Sequence, residues 1–378
     1  MSLTAINQLM QTYHEVNTNK VWWAEQIHML ESEVSDNKLQ LLLPKEPVDS
    51  VTLQLPYDEF PLLKSALTTS CNASIGTIQI TTGDATKMVP SDVATYNIVL
   101  KIGQELLLGT SLSGGTSTIT VTRGHNSTTA AIHANAAQVD VISVLVVEGA
   151  AGIRAAKATT RTYITNYVQT IDEVVQVTGV QEAVAKYGGI TSEINYQLQK
   201  SFVMAQARLE KALLYGVSYV GTASVAREMN GLWSSISTNK TSDSGAIDAV
   251  AIEADILKIF NNGGTPNILL CSGKMAQDIS KIYENRIVTD IETRIGGHAV
   301  TAIVNPLAQS MIAIVPHKMI PNGEYFMGDI TKVGMAYLRP FFVEQRSYDA
   351  DAKKIVVLGD YSLLLGIEAV WAYRYGLS

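Results

Sequence analysis

The amino-acid sequence predicts an α+β fold, and three features of the chain lead to this prediction. The first is a single long helix between Thr191 and Gly216. The second is a strand-rich segment at about residues 72–147, which is rich in Thr, Ser, Gly, Ile and Val. The third is the region after the long helix, where short apolar runs alternate with helical patterns, as they do in layered α/β architectures.

Apolar side chains in the long helix recur at steps of three or four residues, so they share one face. These side chains are Ile194, Leu198, Phe202, Ala205, Leu209 and Leu213. Thr191 or Ser192 can cap the first turn, and Glu193 suits the positive end of the helix dipole. Gly216 is predicted to end the helix in the left-handed conformation. We interpret the helix as the spine of a domain, against the simpler alternative of an ordinary core helix.

The segment before the spine divides into a helical beginning and several strands. Residues 1–43 show amphipathic helical patterns that include Trp22 and Trp23, and these adjacent indoles need cover from the same subunit or from a neighbour. Alternating patterns at 51–55 and 161–177 predict two strands that pair with each other. A two-stranded ribbon cannot bury both of its faces, so it needs a further partner surface. Closely spaced turns at about 72–147 predict a small β-barrel or sandwich inserted in the chain.

The remaining elements follow from local pattern. Helices are predicted at 181–187, at 252–261 and from Ser272 or Gly273 to Ile282, and strands at 267–271, 300–304, 312–315 and 333–338. Ile355–Leu358 and Tyr361–Val370 are predicted to form a hairpin whose turn is Gly359-Asp360.

Composition limits the classes of function. Of the 378 residues, 47% are hydrophobic and only 17% are charged, against about 25% charged in a typical domain, which favours extensive subunit contacts. A net charge of −7 without any Lys/Arg run argues against tight nucleic-acid binding through phosphate neutralisation, although an acidic wall could still face DNA. Cys71 and Cys271 are predicted to be buried thiols in a reducing compartment. No secretory signal or membrane-spanning run is present, so synthesis in a cytoplasm is expected.

The search for chemistry leads to no catalytic, cofactor-binding or metal-ligating residue. Gly273-Lys274 lacks the upstream glycine and the following Ser or Thr of a phosphate-binding loop. Asp349 and Asp351 are interpreted as part of a solvated turn rather than as paired catalytic carboxylates. The histidines are scattered and are interpreted as surface residues or as hydrogen-bonded core residues: His14, His28, His125, His133, His298 and His317.

An ordered series of motifs runs from Arg161 to the C-terminal region. It consists of RTYITNYVQT from Arg161, VTGVQEAV from Val177, LEKALLYG from Leu209, REMNGL from Arg227, PNILLCSG from Pro266, AYLRP from Ala336, GDYSL from Gly359, and Glu368-Ala. The series resembles the major capsid proteins of tailed bacteriophages with the Hong Kong 97 phage-type capsid fold. The segments 103–106, 118–124 and 128–134 resemble the small β insertion that some of these proteins carry, whereas the rest of the N-terminal half matches weakly.

The resemblance implies an architecture. Residues 1–50 would be an N-terminal arm, and residues 51–190 an extended loop that carries the β insertion. The spine helix at 191–216 and the strands at 336–378 would build a peripheral domain. Residues 217–335 would form the axial domain that lines the centre of each capsomer.

The resemblance also implies a function. The chain would assemble as pentamers and hexamers into the icosahedral shell that encloses the double-stranded DNA genome of a tailed bacteriophage. Portal, scaffold and decoration proteins are candidate partners, DNA would be contacted non-specifically, and neither a membrane nor a cofactor is expected. The protein would be made in the host bacterial cytoplasm and would reside in the virion.

Two alternatives of different class stay open. One is the shell of a prokaryotic nanocompartment of the encapsulin type, which shares the fold, usually lacks the β insertion and holds cargo without DNA. The other is an oligomeric enzyme with an unrecognised site, which would require a deep pocket with convergent polar groups in residues 217–335.

Overall fold

The computed structural model describes residues 36–58, 63–81, 84–89, 97–112, 117–146, 148, 161–184, 192–283, 287–295, 298–305, 307, 310–346 and 351–377. The helices in this part of the chain are α1 (Lys38–Leu42), α2 (Asp84–Met88), α3 (Gly179–Ala183), α4 (Glu193–Tyr215), α5 (Leu232–Ser235), α6 (Ala249–Asn261) and α7 (Gly273–Ile282).

The strands of the N-terminal half are β1 (Lys45–Pro47), β2 (Thr52–Tyr57), β3 (Lys64–Ala66), β4 (Thr77–Gln79), β5 (Ile98–Ile102), β6 (Glu105–Leu112), β7 (Thr118–Thr122), β8 (Gln138–Val144), β9 (Thr162–Tyr167) and β10 (Gln169–Thr178). Those of the C-terminal half are β11 (Lys240–Gly245), β12 (Ile268–Cys271), β13 (Ile287–Ile295), β14 (His298–Asn305), β15 (Ser310–Pro316), β16 (Tyr325–Gly328), β17 (Val333–Arg346), β18 (Ala352–Leu365) and β19 (Trp371–Leu377).

The chain forms two compact units, one of residues 56–162 and one of residues 1–55 with 163–378. The larger unit, the body, contains a seven-stranded sheet in the order β11-β19-β16-β12-β15-β14-β13. Its central strands bury side chains on both faces, as expected from period-two alternation. In β12, Ile268 and Leu270 enter one core while Leu269 and Cys271 enter the other, and helices α6 and α7 cover the second face.

The spine helix α4 spans 23 residues, which corresponds to about 35 Å at 1.5 Å per residue. Leu209 and Leu213 are buried in one cluster with β12 and β16 of the seven-stranded sheet and with β17 and β18 of a second, four-stranded sheet. The predicted apolar face is confirmed, except that Phe202 is 37% exposed. The side chain of Ser192 caps the helix by accepting from the backbone N–H of Asn195.

The conformation predicted for Gly216 is wrong. Its φ of −55° and ψ of 148° are extended, not left-handed. A glycine is required there because the chain returns closely: a Cβ on Gly216 would lie 2.5 Å from the carbonyl oxygen of Met229 and 2.6 Å from that of Ala212. Gly231 donates to the Gly216 carbonyl at 2.9 Å. Glycine is therefore needed at this position because two backbone segments lie close together, and not because the residue adopts a left-handed conformation.

The strand predicted at 161–177 is two strands with different partners. β9 pairs with β2, as predicted, in a two-stranded sheet, whereas β10 joins a four-stranded sheet in the order β1-β17-β18-β10. The partner surface that the β2–β9 ribbon was expected to need is the four-stranded sheet, because Leu53 of β2 lies in one buried cluster with Ala336 of β17. Strand β18 of that sheet pairs with all of β10 from Gln169 to Thr178.

The predicted hairpin at Gly359-Asp360 is wrong, because β18 runs through both residues as one 14-residue strand. Asp360 is buried, accepts from the hydroxyl of Thr170 at 2.7 Å, and also accepts from Nε of Arg339. Gly359 lies beneath the rings of Phe341 and Tyr361, which a Cβ would approach to 2.6 and 2.7 Å. A side-chain network on neighbouring strands therefore overrides a local turn signal.

The other local predictions are confirmed with small shifts of boundary. Helices α6 and α7 and strands β12, β14 and β15 lie where they were expected. Strand β17 continues eight residues beyond Leu338, and the helix predicted at 181–187 is described as α3, which begins at Gly179 and ends at Ala183. The helices predicted near the N-terminus are described only at α1; Trp22 and Trp23 lie outside the described residues.

The smaller unit, which we call the insertion, holds a six-stranded antiparallel sheet in the order β3-β8-β5-β6-β7-β4. Its two end strands meet, because Thr68 donates to Gln79 at 3.0 Å and Thr81 donates to Ala66 at 3.1 Å. The sheet thereby closes into a small barrel around Ile78, Ile98 and Leu100, all fully buried.

Candidate interaction surfaces and the buried clusters beneath them

A buried carboxylate ties three distant segments of the body together. Glu210 of the spine helix is fully buried and accepts from the backbone N–H groups of Leu39 at 2.6 Å and Gln40 at 3.0 Å. His317 Nε2 donates to the same carboxylate at 2.8 Å, while His317 Nδ1 accepts from the N–H of Met319. The arrangement satisfies both oxygens of Glu210 and fixes the tautomer of the imidazole.

A second buried carboxylate organises the insertion. Glu105 lies at the start of β6, is 1% exposed, and accepts from Nε and Nη2 of Arg123 at 2.7 and 2.6 Å. It also contacts His133 Nε2 at 2.8 Å and accepts from the N–H groups of Gly124 and Ala131. Burial raises the pKa of Glu105, but the hydrogen bonds from Arg123, Ala131, His133 and Gly124 together outweigh it and lower the pKa to about 2.

A third cluster lies under helix α6. Asp255, which is 1% exposed, accepts from Tyr325 Oη at 2.7 Å and from Nε and Nη2 of Arg374, both at 2.9 Å. Arg374 Nη1 donates to Asp243 at 2.6 Å. Burial and the adjacent Asp255 carboxylate raise the pKa of the Tyr325 hydroxyl well above its ordinary value. The phenol therefore stays protonated as a donor.

These clusters give a structural role to the buried residues His133, His317, Glu105, Glu210 and Asp255. His133 and His317 are hydrogen-bonded core residues, as the sequence predicted, and His125 lies in a short 3₁₀ turn of the insertion. Asp349 lies outside the described residues, and the Asp351 carbonyl accepts from Gly179. Within the described part of the chain, no group of three or more His, Cys, Asp or Glu residues could hold a metal ion.

Sequence reasoning missed Glu105 and Glu210 as organising residues. Glu210 had a readable signal, because it follows Leu209 directly and lies three residues before Leu213, within the apolar sector of the helix. The residues around Glu105 give no such signal, because its partners Arg123 and His133 lie 18 and 28 residues further along the chain.

A cleft of about 350 Å³ lies beside the turn that follows the spine helix, and its lining residues are Thr170, Val220, Gly221, Thr222, Val225, Ala226 and Arg227. Its polar groups are one guanidinium and two hydroxyls, with no carboxylate, imidazole or thiol among them. Among these lining side chains, none is of a type that commonly acts as the general base needed to activate either hydroxyl as a nucleophile.

Exposed apolar side chains occur in groups on the body. One group lies on α6, where Val250 is 71% and Leu257 is 48% exposed, and another lies around β14 and β15, where Val304 is 47% and Met311 is 49% exposed. Others follow the spine helix at Val217, Tyr219, Val220 and Val225. Contiguous patches of exposed apolar side chains are typical of interaction surfaces. No described helix is long and apolar enough to cross a membrane.

Comparisons with known proteins relate this chain to subunits of large protein shells. The family model described as SU10 major capsid protein matches residues 31–374 of the chain. No curated protein matches the sequence.

Solved capsid and shell subunits share the fold at low sequence identity. A capsid of an empty GTA particle is 10% identical with a TM-score of 0.52 over 98% of this chain and 100% of that chain. A structure of Mycobacterium phage Bobi is 9% identical with a TM-score of 0.51 over 98% and 99%. The SrpI encapsulin of Synechococcus elongatus PCC 7942 is 11% identical with a TM-score of 0.50 over 98% and 96%. From these matches, the chain belongs to the SU10 major capsid protein family and has the Hong Kong 97 phage-type capsid fold.

Proposed function

We propose that this capsid protein assembles as pentamers and hexamers into a closed icosahedral shell around the double-stranded DNA of a tailed bacteriophage. The observation that carries the proposal is the family match, which extends over residues 31–374. The exposed apolar groups of the body add to it, because a shell made of many weak, repeated contacts gains its stability by their summation.

The proposed role is structural and involves no catalysis. The buried carboxylates Glu105, Glu210 and Asp255 are all saturated by hydrogen bonds inside the fold. A catalytic group has to face a substrate within hydrogen-bond reach, and these groups face only the protein. Portal, scaffold and decoration proteins are the further partners that we propose, and packaged DNA is contacted without sequence specificity. Synthesis takes place in the host bacterial cytoplasm.

The proposed division of the subunit is the one that the family resemblance implies. The N-terminal arm comprises residues 1–50, the extended loop 51–190, and the axial domain 217–335. We propose one adjustment for the C-terminal segment at 336–378. Strands β17 and β18 belong with the spine helix, whereas β19 hydrogen-bonds β11 and β16 and therefore joins the axial sheet.

A direct test is expression of the chain in bacteria, with sedimentation and negative-stain microscopy of the product. Closed particles of uniform diameter are the expected result, and a stable monomer under assembly conditions would contradict the proposal. The encapsulin-type alternative shares the fold, so particles alone do not separate the two. Particles purified from infected or prophage-induced cells separate them: nuclease-resistant double-stranded DNA supports the capsid, whereas protein cargo without DNA supports the nanocompartment.

A further inference from the structure

Helix α6 has a second apolar face that points away from the body. Its inner face carries Ile252, Ile256 and Ile259, which are buried against the seven-stranded sheet. Val250 and Leu257 lie seven residues apart, on nearly the same side of the helix and away from the inner face. They are 71% and 48% exposed. A surface helix normally presents polar residues on that side, so two large apolar residues there require an explanation.

The opposite face of the same sheet carries a matching patch. Val304 of β14 and Met311 of β15 are register partners. Their chain neighbours Ile303 and Ile312 are buried on the α6 side. Because successive side chains alternate between faces, Val304 and Met311 point to the other side. Leu307, in the turn between the two strands, is 42% exposed beside them.

The two patches also lie toward opposite ends of the sheet. Helix α6 is held over the β11–β19 end, since Lys258 donates to Thr241 of β11 and Arg374 of β19 donates to the Ala251 carbonyl. Strands β14 and β15 lie near the other end of the sheet order. The two apolar patches therefore lie on opposite faces of the seven-stranded sheet and toward opposite ends of its strand order.

This placement decides what kind of partner fits. A two-fold contact between copies uses one patch twice, whereas a head-to-tail contact joins two different patches and closes into a ring when the rotation permits. A second copy of the chain supplies the complementary patch at the same concentration as the first. Resting on the proposed function, we infer that the α6 patch (Val250, Leu257) of one subunit packs on the β14–β15 patch (Val304, Leu307, Met311) of its neighbour around each capsomer.

Cross-linking tests the geometry in assembled particles. Cys71 and Cys271 are buried, so a cysteine added at the surface is the reactive thiol among the described residues. Particles of the double variant Leu257→Cys/Met311→Cys, treated with a short bis-maleimide, should lose most of the monomer band. A ladder that stops at five and six subunits should replace it. Either single variant should stay monomeric on a denaturing gel.

The possible results separate the inference from the function. If the wild-type chain forms particles but the double variant gives no ladder, the inference is wrong and the proposed function stands. Dimers from either single variant overturn it as well, because they report a two-fold contact. If the wild-type chain forms no particles, the proposed function fails and the inference fails with it.

Charge exchange gives a second readout that does not depend on cross-linking chemistry. Leu257 and Met311 are about half exposed, so charged replacements leave the monomer folded. Leu257→Asp alone and Met311→Lys alone should each reduce particle yield at least tenfold, and the two together should restore most of it. The matched control is Leu257→Asp with Met311→Asp, which should stay unassembled. Equal yields from the two double variants would overturn the inference.

Discussion

The insertion and the body are each built around one buried glutamate, but the partners of the two residues differ in kind and in sequence separation. Glu105 is paired with a guanidinium and an imidazole at 18 and 28 residues' separation. Glu210 is held by backbone amides 171 and 170 residues away and by His317, 107 residues away. The insertion therefore completes its charged cluster from one continuous segment, whereas the body needs three parts of the chain at once.

The difference indicates what each glutamate does. A carboxylate with a charged local partner stabilises the loops of one small barrel. A carboxylate bound by the amides of Leu39 and Gln40 fixes the position of another segment, and here it fixes α1 on the spine helix. Changes in the insertion should therefore stay local, while changes at the spine should affect the whole body.

The largest effect is expected at the spine. Leu209→Asp places an unpaired charge at a position that is 1% exposed. The cost of several kcal/mol is comparable with the total stability of a domain. Soluble protein and particles should both be lost, as measured by the supernatant fraction and by sedimentation. The control is Lys211→Asp, which lies two residues away on the exposed side of the helix and should assemble. Normal particles from Leu209→Asp would show that the Leu209 face of the helix is not buried.

The two glutamates can be compared directly by removing each in turn. Glu105→Ala leaves Arg123 buried without its carboxylate, at a cost of about 3–5 kcal/mol, and should raise amide exchange within residues 105–133 only. Glu210→Ala leaves two amides and His317 without an acceptor, at about 1–3 kcal/mol for each group. It should raise exchange at 36–42 and at 317–319, far apart in sequence. Faster amide exchange in the spine helix of Glu105→Ala would contradict the proposed difference between the two glutamates.

The insertion should also be sensitive to acid. The pKa of Glu105 is lowered from 4.5 to about 2 in the folded protein, so its contribution is fully present above pH 4.5 and is lost as the pH falls toward 2. Pepsin cleavage within residues 105–133 should increase over that window. Glu105→Gln has no ionisable group at this position. In this variant, cleavage of the same segment should therefore show only the pH dependence of pepsin itself. Unchanged resistance of the wild-type segment down to pH 2 would contradict the assignment.

The smallest effect concerns the first turn of the spine. Ser192 accepts from Asn195 N–H at 3.3 Å and donates to Glu182 at 2.7 Å. Ser192→Ala should cost about 1 kcal/mol, seen as a fall of about 2 °C in Tm. Ser192→Thr keeps the hydroxyl and should melt like the wild type. A larger loss would mean that the Glu182 contact contributes more than the cap.

Local pattern predicted those elements whose partners lie on the same stretch of chain. Leu209 and Leu213 follow helical spacing, and Ile268–Cys271 is an unbroken apolar run, so their burial could be read from the sequence. Asp360 could not be read in this way. Its side chain accepts hydrogen bonds from Thr170, 190 residues away, and from Arg339, 21 residues away. These long-range contacts stabilise an aspartate, a residue type common in turns, in the middle of strand β18.

The interaction surfaces show the same limit. The spacing of Val250 and Leu257 is visible in the sequence, yet only the sheet topology shows that Val304 and Met311 lie on the opposite face. The family, in contrast, could be recognised from the motif series beginning at Arg161. Those motifs include the spine and the central strands, which set the backbone course that related subunits share.

The order in which the partners of Glu210 leave the ribosome has a consequence for biosynthesis. The insertion ends at residue 162, whereas Met319, which orients the imidazole of His317, comes 157 residues later. At about 5–20 residues per second, the barrel has roughly 8–30 seconds to mature before the body can close. Nascent subunits on one messenger therefore carry finished barrels while their bodies are still open, so the apolar surfaces of the body stay exposed to neighbouring nascent chains for that time.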